Sequence, residues 1–492
     1  MADALLKYET IDQEQISDIM AGAFPREKND DNQKGKENNK VKTSSSSKPV
    51  QDSWDMKYGT DGFRGPVDTH VTSEFCLKLG FHTGCLLKDK GYESVIIGKD
   101  TRVSGYMLES ALQAGFISAG IDVKLAGPIP TPAVSFLTST YSGQFGVVIS
   151  ASHNPFQDNG IKFFNRHGRK ISEEFENLIT EKVNLPIKPV PVSKLGKAFR
   201  IDSATGRYIE YCKSTLRGSS NLRGSTILVD AAHGANYKIT PMLLEELGAK
   251  VIRINCEPDG FNINKASAVL EQDKFKKYAK EYEFDFCAAV DGDGDRLVLS
   301  DGSGNVFNGD DVIYTIAKRN KSQAKDKSDA VVGTDMTNEG VVEALGKIGI
   351  NFFRTKVGDK YISRELVSRD LNLGGETSGH IIQREFSESG DANIALIQSL
   401  AALKELETTL TDIQSKIDYK PNILETIKVD DQNIVENEAF KDSVNSIEKK
   451  FPSSRISVRK SGTEISKIRV MVESNSDDEV KTVLEEIKSL VV

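Results

Sequence analysis

Three acidic side chains alternate with glycines in the stretch AAVDGDGDRLVLSD. Asp291, Asp293 and Asp295 follow directly on an apolar run that reads as a buried strand. Carboxylates this close repel one another, and their pKa values rise unless a partner offsets the charge. A hard divalent cation such as Mg²⁺ offsets it, because such ions prefer carboxylate oxygens. The pattern therefore predicts a magnesium site, and a solvated acidic turn is the alternative.

A serine stands where another apolar run stops. Residues 145–149 read as a short buried strand, and the polar residues around Ser152, then Pro155 and a lone Lys162, follow it. A serine at such a corner can act as a nucleophile or carry a phosphoryl group. The GxSxG elbow of hydrolase serines is absent. With Mg²⁺ nearby, phosphoryl transfer is the better fit.

The stretch RKSGTE carries groups suited to phosphate. Arg459 offers a bidentate guanidinium, while Ser461, Gly462 and Thr463 offer hydroxyls and an unobstructed backbone N–H. An ordinary capped loop would show the same residues. The stretch predicts an anion site only in company with other groups.

Two further stretches suggest sugar and anion contacts. In GGETSGH, Glu376 and Ser378 alternate after a short strand-like LNL, so both can point one way from an extended loop. A carboxylate beside a hydroxyl suits sugar hydroxyls, and a hairpin with incidental polar residues is the alternative. In GTDGFRG, Arg64 lies between glycines, which suits an anion.

The elements that must position these groups alternate between strands and helices from Met56 onward. SVIIGKD, DVKLAG and GVVIS are predicted strands, and Ser104 is expected to cap the helix GYMLESALQAGFISA, which Gly120 ends. The same order of strand, glycine-bearing turn, helix and strand is expected at STILVDAAHGANYKITPMLLEELGAKVIRI, at FDFCAAVDGDGDR and at DAVVGTDMTNEGVVEALGKIGINFFRTKV. Repeated β-α-β units imply mostly parallel sheets with ligand groups beyond the strand carboxyl ends.

Length and composition narrow the class of protein. A chain of 492 residues suggests about three to four domains. The net charge of −8 argues against broad nucleic-acid binding. Five cysteines without a CxxC pair imply neither a zinc site nor a disulfide framework, and they suit a reducing cytoplasm. No run approaches the roughly 18 apolar residues that span a bilayer, and we expect no signal peptide.

Residues 1–55 differ from the rest of the chain. LLKYETIDQEQISDIMAG is predicted to form a short amphipathic helix, and the polar PREKNDDNQKGKENNKVKTSSSSKPVQDS a disordered linker. The helical piece resembles the extreme carboxyl-terminal segment of the membrane-anchored AAA+ zinc proteases. No ATPase or HExxH element accompanies it, so no protease activity is implied.

Eight stretches in order resemble the α-D-phosphohexomutase superfamily, and within it the bacterial phosphoglucosamine mutases. They are YGTDGFRG, GKDTRVSGYMLESALQAG, GPIPTPAV, ISASHNPFQDNGIKFF, DGDGDR, KVGDKY, GGETSGH and RKSGTE. The resemblance covers residues 56–492. It implies an α/β fold with three similar mixed-sheet β-α-β domains and a carboxyl-terminal α+β domain around a central cleft. The expected domains are 56–206 (phosphoserine), 207–305 (metal), 306–418 (sugar) and 419–492 (phosphate).

The resemblance also implies a role for each group. Ser152 would be the phosphoserine, with Lys162 as general base and His153 close to the reacting oxygen. Ser152 and the three aspartates would hold one Mg²⁺ per subunit. Substrate contacts are expected from all four domains: Arg64, Arg296, Glu376, Ser378, His380, Arg459, Ser461, Gly462 and Thr463.

The implied reaction interconverts α-D-glucosamine 6-phosphate and α-D-glucosamine 1-phosphate through a phosphoserine and a 1,6-bisphosphate. Glucosamine 1,6-bisphosphate or a similar hexose bisphosphate is the expected activator, and the expected location is the cytoplasm. The expected partner is a small phosphosugar, with no nucleic acid or membrane, and a homodimer is allowed. The alternatives are a phosphomannomutase or phosphoglucomutase of the same superfamily, and a non-catalytic phosphosugar-binding protein that works through its amino-terminal extension.

Two segments depart from the family pattern. Residues 465–467 add one residue and lack the usual proline, which predicts a less stiff phosphate loop and a displaced Arg469. Ala268 and Val269 replace a glycine and a serine near a domain junction. We expect either change to lower activity without abolishing it.

Overall fold

Four β-sheets follow one another along the chain, each formed by its own segment. The computed structural model describes residues 58–59, 61–141, 144–216, 221–324, 329–461 and 466–491. The amino-terminal helix and linker predicted above, and the predicted phosphate ligands Gly462 and Thr463, lie outside these residues.

The first sheet has six strands in the order β1-β5-β4-β2-β3-β6. Its strands are β1 (Phe63–Pro66), β2 (Ser94–Lys99), β3 (Asp122–Pro128), β4 (Gln144–Ile149), β5 (Asp158–Phe164) and β6 (Ala198–Arg200). Its helices are α1 (Ser73–Asp89), α2 (Ser104–Ser118), α3 (Thr131–Thr140), α4 (Glu173–Lys182) and α5 (Ala204–Ser214). Strands β2 and β4 are parallel and wholly buried. That burial explains their continuous apolar sequences.

The second sheet has the order β11-β10-β9-β7-β8. Its elements are β7 (Thr226–Asp230), α6 (Ile239–Glu246), β8 (Lys250–Ile254), α7 (Asp273–Glu281), β9 (Phe286–Val290), β10 (Leu297–Asp301) and β11 (Val306–Phe307). The predicted helix after DGDGDR is wrong, because β10 runs antiparallel to β9 and pairs Leu297 with Val290. LVLSD is too short and too apolar for a helix there, and pairing with β9 buries it.

The third sheet has the order β13-β12-β14-β15. Its strands are β12 (Ala330–Thr334), β13 (Asn351–Thr355), β14 (Leu373–Gly375) and β15 (Ile381–Gln383). Its helices are α8 (Gly309–Ser322), α9 (Glu339–Lys347), α10 (Asp359–Ser368), α11 (Ala392–Glu405) and α12 (Leu410–Gln414). Helix α11 is buried along nearly its whole length, which matches its apolar sequence ANIALIQSLAALKE.

The fourth sheet is antiparallel, in the order β16-β18-β17. It comprises β16 (Asn422–Lys428), α13 (Glu438–Lys450), β17 (Arg455–Lys460), β18 (Lys467–Glu473) and α14 (Asp477–Lys488). Short 3₁₀ turns lie at Val192–Lys194 and Gln432–Glu436. This module has its own apolar core, whereas one continuous core joins parts of the first three sheets and their helices. The α/β prediction is confirmed.

Helix α2 begins differently from the prediction. It starts at Ser104, and the residue before it, Val103, has helical backbone angles and no side-chain cap. The Ser104 hydroxyl instead accepts a hydrogen bond from Asn159 Nδ2 at 2.9 Å. Gly120 follows the helix with a φ of 82°, as its predicted end requires. None of the described helices has the length and apolar character needed to cross a membrane.

Candidate active site

Ser152 lies just beyond β4 and faces the acidic cluster. Its Oγ donates a hydrogen bond to Asp291 Oδ2 at 2.7 Å and lies 3.3 Å from His153 Nδ1. The backbone of Ser152 has a φ of 51°, in the left-handed region that residues other than glycine rarely adopt. Its N–H donates to Ser150 Oγ at 2.9 Å, and Ser150 Oγ donates to Asp100 Oδ2 at 2.6 Å. The loop is thus tied to the end of β2.

The aspartate triad (Asp291, Asp293 and Asp295) occupies the turn between β9 and β10. One carboxylate oxygen from each lies within 4.8 Å of the others, and all three residues are buried. Asp293 Oδ2 accepts hydrogen bonds from Thr131 Oγ1 at 2.7 Å and from Lys162 Nζ at 2.8 Å. Both donors belong to the first domain, so this turn is held against that domain.

The triad fits a hard divalent cation. Asp293 Oδ1 and Asp295 Oδ1 are buried and have no hydrogen-bond partner among the described residues. Burial, with the charges of Asp295 and Asp293 next to it, raises the pKa of Asp291 well above its ordinary value. A cation would give the unpaired oxygens a partner and remove the repulsion. An all-oxygen donor set is the one that Mg²⁺ prefers.

Two glycines let the triad approach its neighbours. A Cβ on Gly292 would lie 2.7 Å from the Ser152 carbonyl oxygen and 2.9 Å from Asn264 Nδ2. A Cβ on Gly294, whose φ is 73°, would lie 2.2 Å from Asn236 Nδ2. The alternation of aspartate and glycine therefore reflects close packing as well as backbone conformation.

Lys162 projects from β5 into the acidic cluster and is almost completely buried. Its Nζ lies 2.6 Å from Asp61 Oδ2, 2.8 Å from Asp293 Oδ2 and 3.7 Å from Asp295 Oδ2. Burial alone would lower the pKa of Lys162, but Asp293, Asp61 and Asp295 together raise it well above its ordinary value. Lys162 is therefore an ammonium in this arrangement.

A chain of alternating charges continues from Asp61 into the third domain. Lys170 Nζ bridges Asp61 and Asp359. His380 Nε2 lies 3.8 Å from Asp359 Oδ2, and its Nδ1 lies 3.7 Å from Asp295 Oδ2. Burial would lower the pKa of His380, but Asp295, followed by Asp359 and other acidic neighbours, raises it to about 9. The ring is cationic at neutral pH and lies between acidic groups of the second and third domains, while Lys170 extends the chain of charges to the first.

Two arginines also lie around the acidic cluster and His153. Arg64 Nη2 donates to Asp61 Oδ2 at 3.2 Å. The backbone N–H of Arg296 donates to Asp291 Oδ1 at 3.1 Å, and its buried Nε has no hydrogen-bond partner within the described ranges. Burial, then the charges of Arg296 and Arg64, lowers the pKa of His153 to about 3. His153 is therefore neutral, beside two guanidinium groups.

The GGETSGH stretch forms a β-hairpin turn, which is the alternative that the sequence left open beside an extended loop. The two glycines lie in or next to β14, which pairs antiparallel with β15. Glu376 Oε1 accepts from the Gly358 N–H at 3.0 Å, and Ser378 Oγ donates to Glu376 Oε2 at 3.3 Å. Below them Thr377 Oγ1 donates to Asp310 Oδ1 at 3.0 Å. The turn still places a carboxylate beside an exposed hydroxyl.

Two arginines face each other in the fourth sheet. Arg459 on β17 lies directly opposite Arg469 on β18. Burial, followed by the charge of Arg469, lowers the pKa of Arg459. Ser461 Oγ is buried without a hydrogen-bond partner in the part of the chain that the structure describes. Paired cations beside an unpaired hydroxyl favour an anion.

The sequence reasoning missed several charged residues that organise this site. Asp61, Asp100, Arg102 and Asp359 lie in stretches that it quoted, whereas Lys170, which follows β5, does not. Asp100 and Arg102 follow the carboxyl end of a buried strand, as the triad does. That position was the available signal.

Comparison with known proteins identifies the family of this chain. Models of the phosphoglucomutase/phosphomannomutase alpha/beta/alpha domains I, II and III match residues 55–186, 206–304 and 308–418. The model of the carboxyl-terminal domain matches residues 424–490. The phosphoglucosamine mutase of Thermodesulfovibrio yellowstonii is 44% identical over 88% of this chain and 98% of its own length. That of Pseudomonas fluorescens is 42% identical, with the same shares covered.

The chain belongs to the phosphoglucosamine mutases. The predicted family and the predicted enzyme class, an isomerase, are confirmed. Solved structures agree in fold. A phosphoglucomutase/phosphomannomutase family protein from Burkholderia thailandensis has a TM-score of 0.76 at 19% identity, over 89% of this chain and 97% of its own. The N-acetylphosphoglucosamine mutase of Aspergillus fumigatus, solved with GlcNAc-6P and magnesium, has a TM-score of 0.62 at 18% identity, over 88% and 95%.

Proposed function

We propose that this protein interconverts α-D-glucosamine 6-phosphate and α-D-glucosamine 1-phosphate through a phosphorylated Ser152 and a 1,6-bisphosphate. The family assignment supports this reaction. The observation that carries the proposal is the 2.7 Å hydrogen bond from Ser152 Oγ to Asp291 Oδ2, at the edge of a buried triad with unpaired oxygens. A hydroxyl in this position is presented to a cation site.

Phosphorylation of Ser152 changes this contact. An esterified Oγ has no proton to donate, and the phosphoryl group brings a charge of about −1.5 to −2 next to three carboxylates. The phosphorylated site is therefore stable only if a positive charge lies between the phosphoryl group and the carboxylates. We propose one Mg²⁺ per subunit, held by the triad and a seryl phosphate oxygen. When bound, the ion neutralises the transferring oxygens and orients them for in-line displacement.

The transfer step exchanges one phosphorus–oxygen bond for another. When the bisphosphate returns a phosphoryl group to the enzyme, Ser152 Oγ bonds to phosphorus and the bond from phosphorus to the sugar oxygen breaks. The serine proton leaves along the hydrogen bond to Asp291, and Lys162, an ammonium here, gives a proton to the departing sugar oxygen. That transfer leaves Lys162 as a neutral amine, and in the opposite direction this amine takes the proton back from the attacking sugar hydroxyl as the general base. We propose that His153, whose Nδ1 lies 3.3 Å from Ser152 Oγ, also lies close to the reacting oxygen.

The remaining groups bind the parts of the substrate that do not react. We propose that Glu376, Ser378 and His380 hold the sugar. Arg459 and Ser461, with Gly462 and Thr463, would hold the phosphate that is not being transferred, and the facing Arg459–Arg469 pair supports this role. Arg64 and Arg296 would neutralise the phosphoryl group at Ser152. A fixed phosphate site lets the bisphosphate turn around and present either end.

The rest of the proposal concerns organisation. We propose a phosphoserine domain at 56–206, a metal domain at 207–305, a sugar domain at 306–418, a phosphate domain at 419–492 and an extension at 1–55. The first, third and fourth sheets fall within these ranges, whereas the last strand of the second sheet, β11 (Val306–Phe307), lies just past residue 305. We also propose a cytoplasmic enzyme, as a monomer or homodimer, that glucosamine 1,6-bisphosphate or a similar hexose bisphosphate activates.

A coupled assay tests the substrate. Purified protein is supplied with Mg²⁺, a trace of hexose 1,6-bisphosphate and, separately, the 6-phosphates of glucosamine, glucose and mannose. We expect kcat/KM to be highest for glucosamine 6-phosphate. A higher value for glucose or mannose 6-phosphate would identify another hexomutase. No turnover of any of them, by folded and phosphorylated protein, would favour a binding protein.

A further inference from the structure

The loop that carries Ser152 is held through its carbonyl groups by side chains of two domains. The serine loop (residues 150–158) runs from the end of β4 to the first residue of β5. Its carbonyl oxygens at Ser152 and Asn154 each accept hydrogen bonds from both Arg102 and Asn264. Arg102 follows β2 in the first domain, whereas Asn264 lies in the loop after β8 in the second.

All three nitrogens of the Arg102 guanidinium group donate hydrogen bonds to the serine loop or to Asp100. The side chain is fully buried. Its Nη2 donates to the carbonyls of Ser152 at 2.9 Å and Asn154 at 2.8 Å, and its Nη1 donates to those of Asp158 at 3.0 Å and Pro155. Its Nε donates to Asp100 Oδ2 at 2.8 Å. All the N–H donors of an arginine are thereby used.

Asn264 approaches the same carbonyls from the second domain. Its Nδ2 donates to Ser152 O at 2.8 Å and to Asn154 O at 3.0 Å. Two carbonyl acceptors fix the orientation of the amide, because only its nitrogen can donate. Its Oδ1 is buried and has no partner among the described residues, and its backbone has a φ of 62°. A buried acceptor without a donor costs free energy, and so does this backbone conformation. Both features of Asn264 therefore lower the free energy of unfolding.

We propose that Arg102 and Asn264 together form a carbonyl clamp, whose members are positioning residues for phosphoryl transfer. The inference rests on the proposed function of Ser152. The clamp holds Ser152 in its left-handed backbone conformation, so that its Oγ faces Asp291. Since Asn264 comes from the domain that carries the triad, the clamp also sets the spacing between the serine loop and the triad. Neither side chain contacts the reacting oxygen.

The test compares two asparagines of one loop. Asn264→Ala removes the second-domain half of the clamp. Asn262→Ala is the matched control, because the Asn262 side chain hydrogen-bonds Glu257 and Asp259 of its own loop. Each variant is assayed for kcat, KM for glucosamine 6-phosphate, thermal unfolding, and amide hydrogen exchange in a peptide covering residues 150–158.

We expect Asn264→Ala to lower kcat about 10- to 100-fold, because small misplacements of a reacting group have effects of this size. KM should stay within about twofold, and exchange in 150–158 should speed up. Asn262→Ala should change none of these. Arg102→Lys, which keeps the charge beside Asp100 but loses the fork, should act like Asn264→Ala.

Three results would overturn the clamp. They are a kcat for Asn264→Ala within twofold of wild type, a rise in KM at unchanged kcat, or unchanged exchange in 150–158. The exchange measurement needs no turnover. If wild-type protein proves inactive on all three sugar phosphates, the proposed function is wrong, and the exchange comparison alone decides whether the side chains hold the loop.

Discussion

Gly292 offers a sharp test of how closely the serine loop and the triad must approach. Its φ is not in the left-handed region, so alanine could adopt its backbone conformation. The only obstacle to the substitution is steric. An added Cβ would lie 2.7 Å from the Ser152 carbonyl oxygen and 2.9 Å from both Asn264 Nδ2 and Ile263 Cδ1, whereas ordinary contact begins at 3.4 Å.

In Gly292→Ala the two loops must therefore separate by about 0.7 Å to restore ordinary contact. This separation moves Ser152 Oγ away from Asp291, so the serine and the triad are too far apart for efficient phosphoryl transfer. We expect kcat to fall about 10- to 100-fold, in line with misplacements of this size. Overpacking should also lower the free energy of unfolding by about 1–3 kcal/mol.

The assay measures kcat and KM for glucosamine 6-phosphate alongside urea unfolding. Gly206→Ala is the matched control, because a Cβ there meets nothing within 4 Å. Gly206 lies inside α5, so alanine should raise the free energy of unfolding by about 0.5–1 kcal/mol and leave kcat unchanged. A Gly292→Ala enzyme with wild-type kcat would refute the reasoning, and so would an equal loss of kcat in the control.

Three other predictions concern charge. Lys162→Met leaves the buried Asp293 without its ammonium, although Asp61 keeps Lys170 and Arg64, so the free energy of unfolding should fall by about 3–5 kcal/mol. A fall below about 1 kcal/mol in urea titrations would contradict this. Mg²⁺ at about 100 times its Kd should raise the free energy of unfolding by about 2.7 kcal/mol, with NaCl of equal ionic strength as control, and this gain should vanish in Asp291→Asn. Burial raises the pKa of Asp391, the residue that caps α11, to about 6. The free energy of unfolding of the wild type should therefore fall by about 3 kcal/mol relative to that of Asp391→Asn as pH rises from about 4 to above 6, because the unfolded chain ionises first. A difference between their urea unfolding curves that does not change with pH would contradict this.

Local sequence was sufficient to find the groups that follow buried strands. The triad could be predicted because three carboxylates in five residues after an apolar run need a partner, and Ser152 because β4 ends in polar residues. Parallel strands then bring such residues to one edge of a sheet. The α/β class followed from the same alternation of strands and helices.

Features that depend on distant segments could not be predicted in this way. Lys170 meets Asp359, which lies 189 residues further along the chain. Nothing near Arg102 indicates that its donors would be used on the carbonyls of residues 152–158. The helix expected after DGDGDR is a strand because β9 is there to pair with it, and Ser104 does not cap its helix because its hydroxyl accepts from Asn159.

The central claim is that Ser152 carries the phosphoryl group. Intact-mass and peptide mass spectrometry, after incubation with Mg²⁺ and a hexose 1,6-bisphosphate, test it most directly. The account predicts the added mass of one phosphoryl group on the peptide that contains Ser152. In Ser152→Ala, both that mass and the interconversion of glucosamine phosphates should be absent. Turnover by Ser152→Ala at the wild-type rate, or a phosphoryl group on another residue, would contradict it.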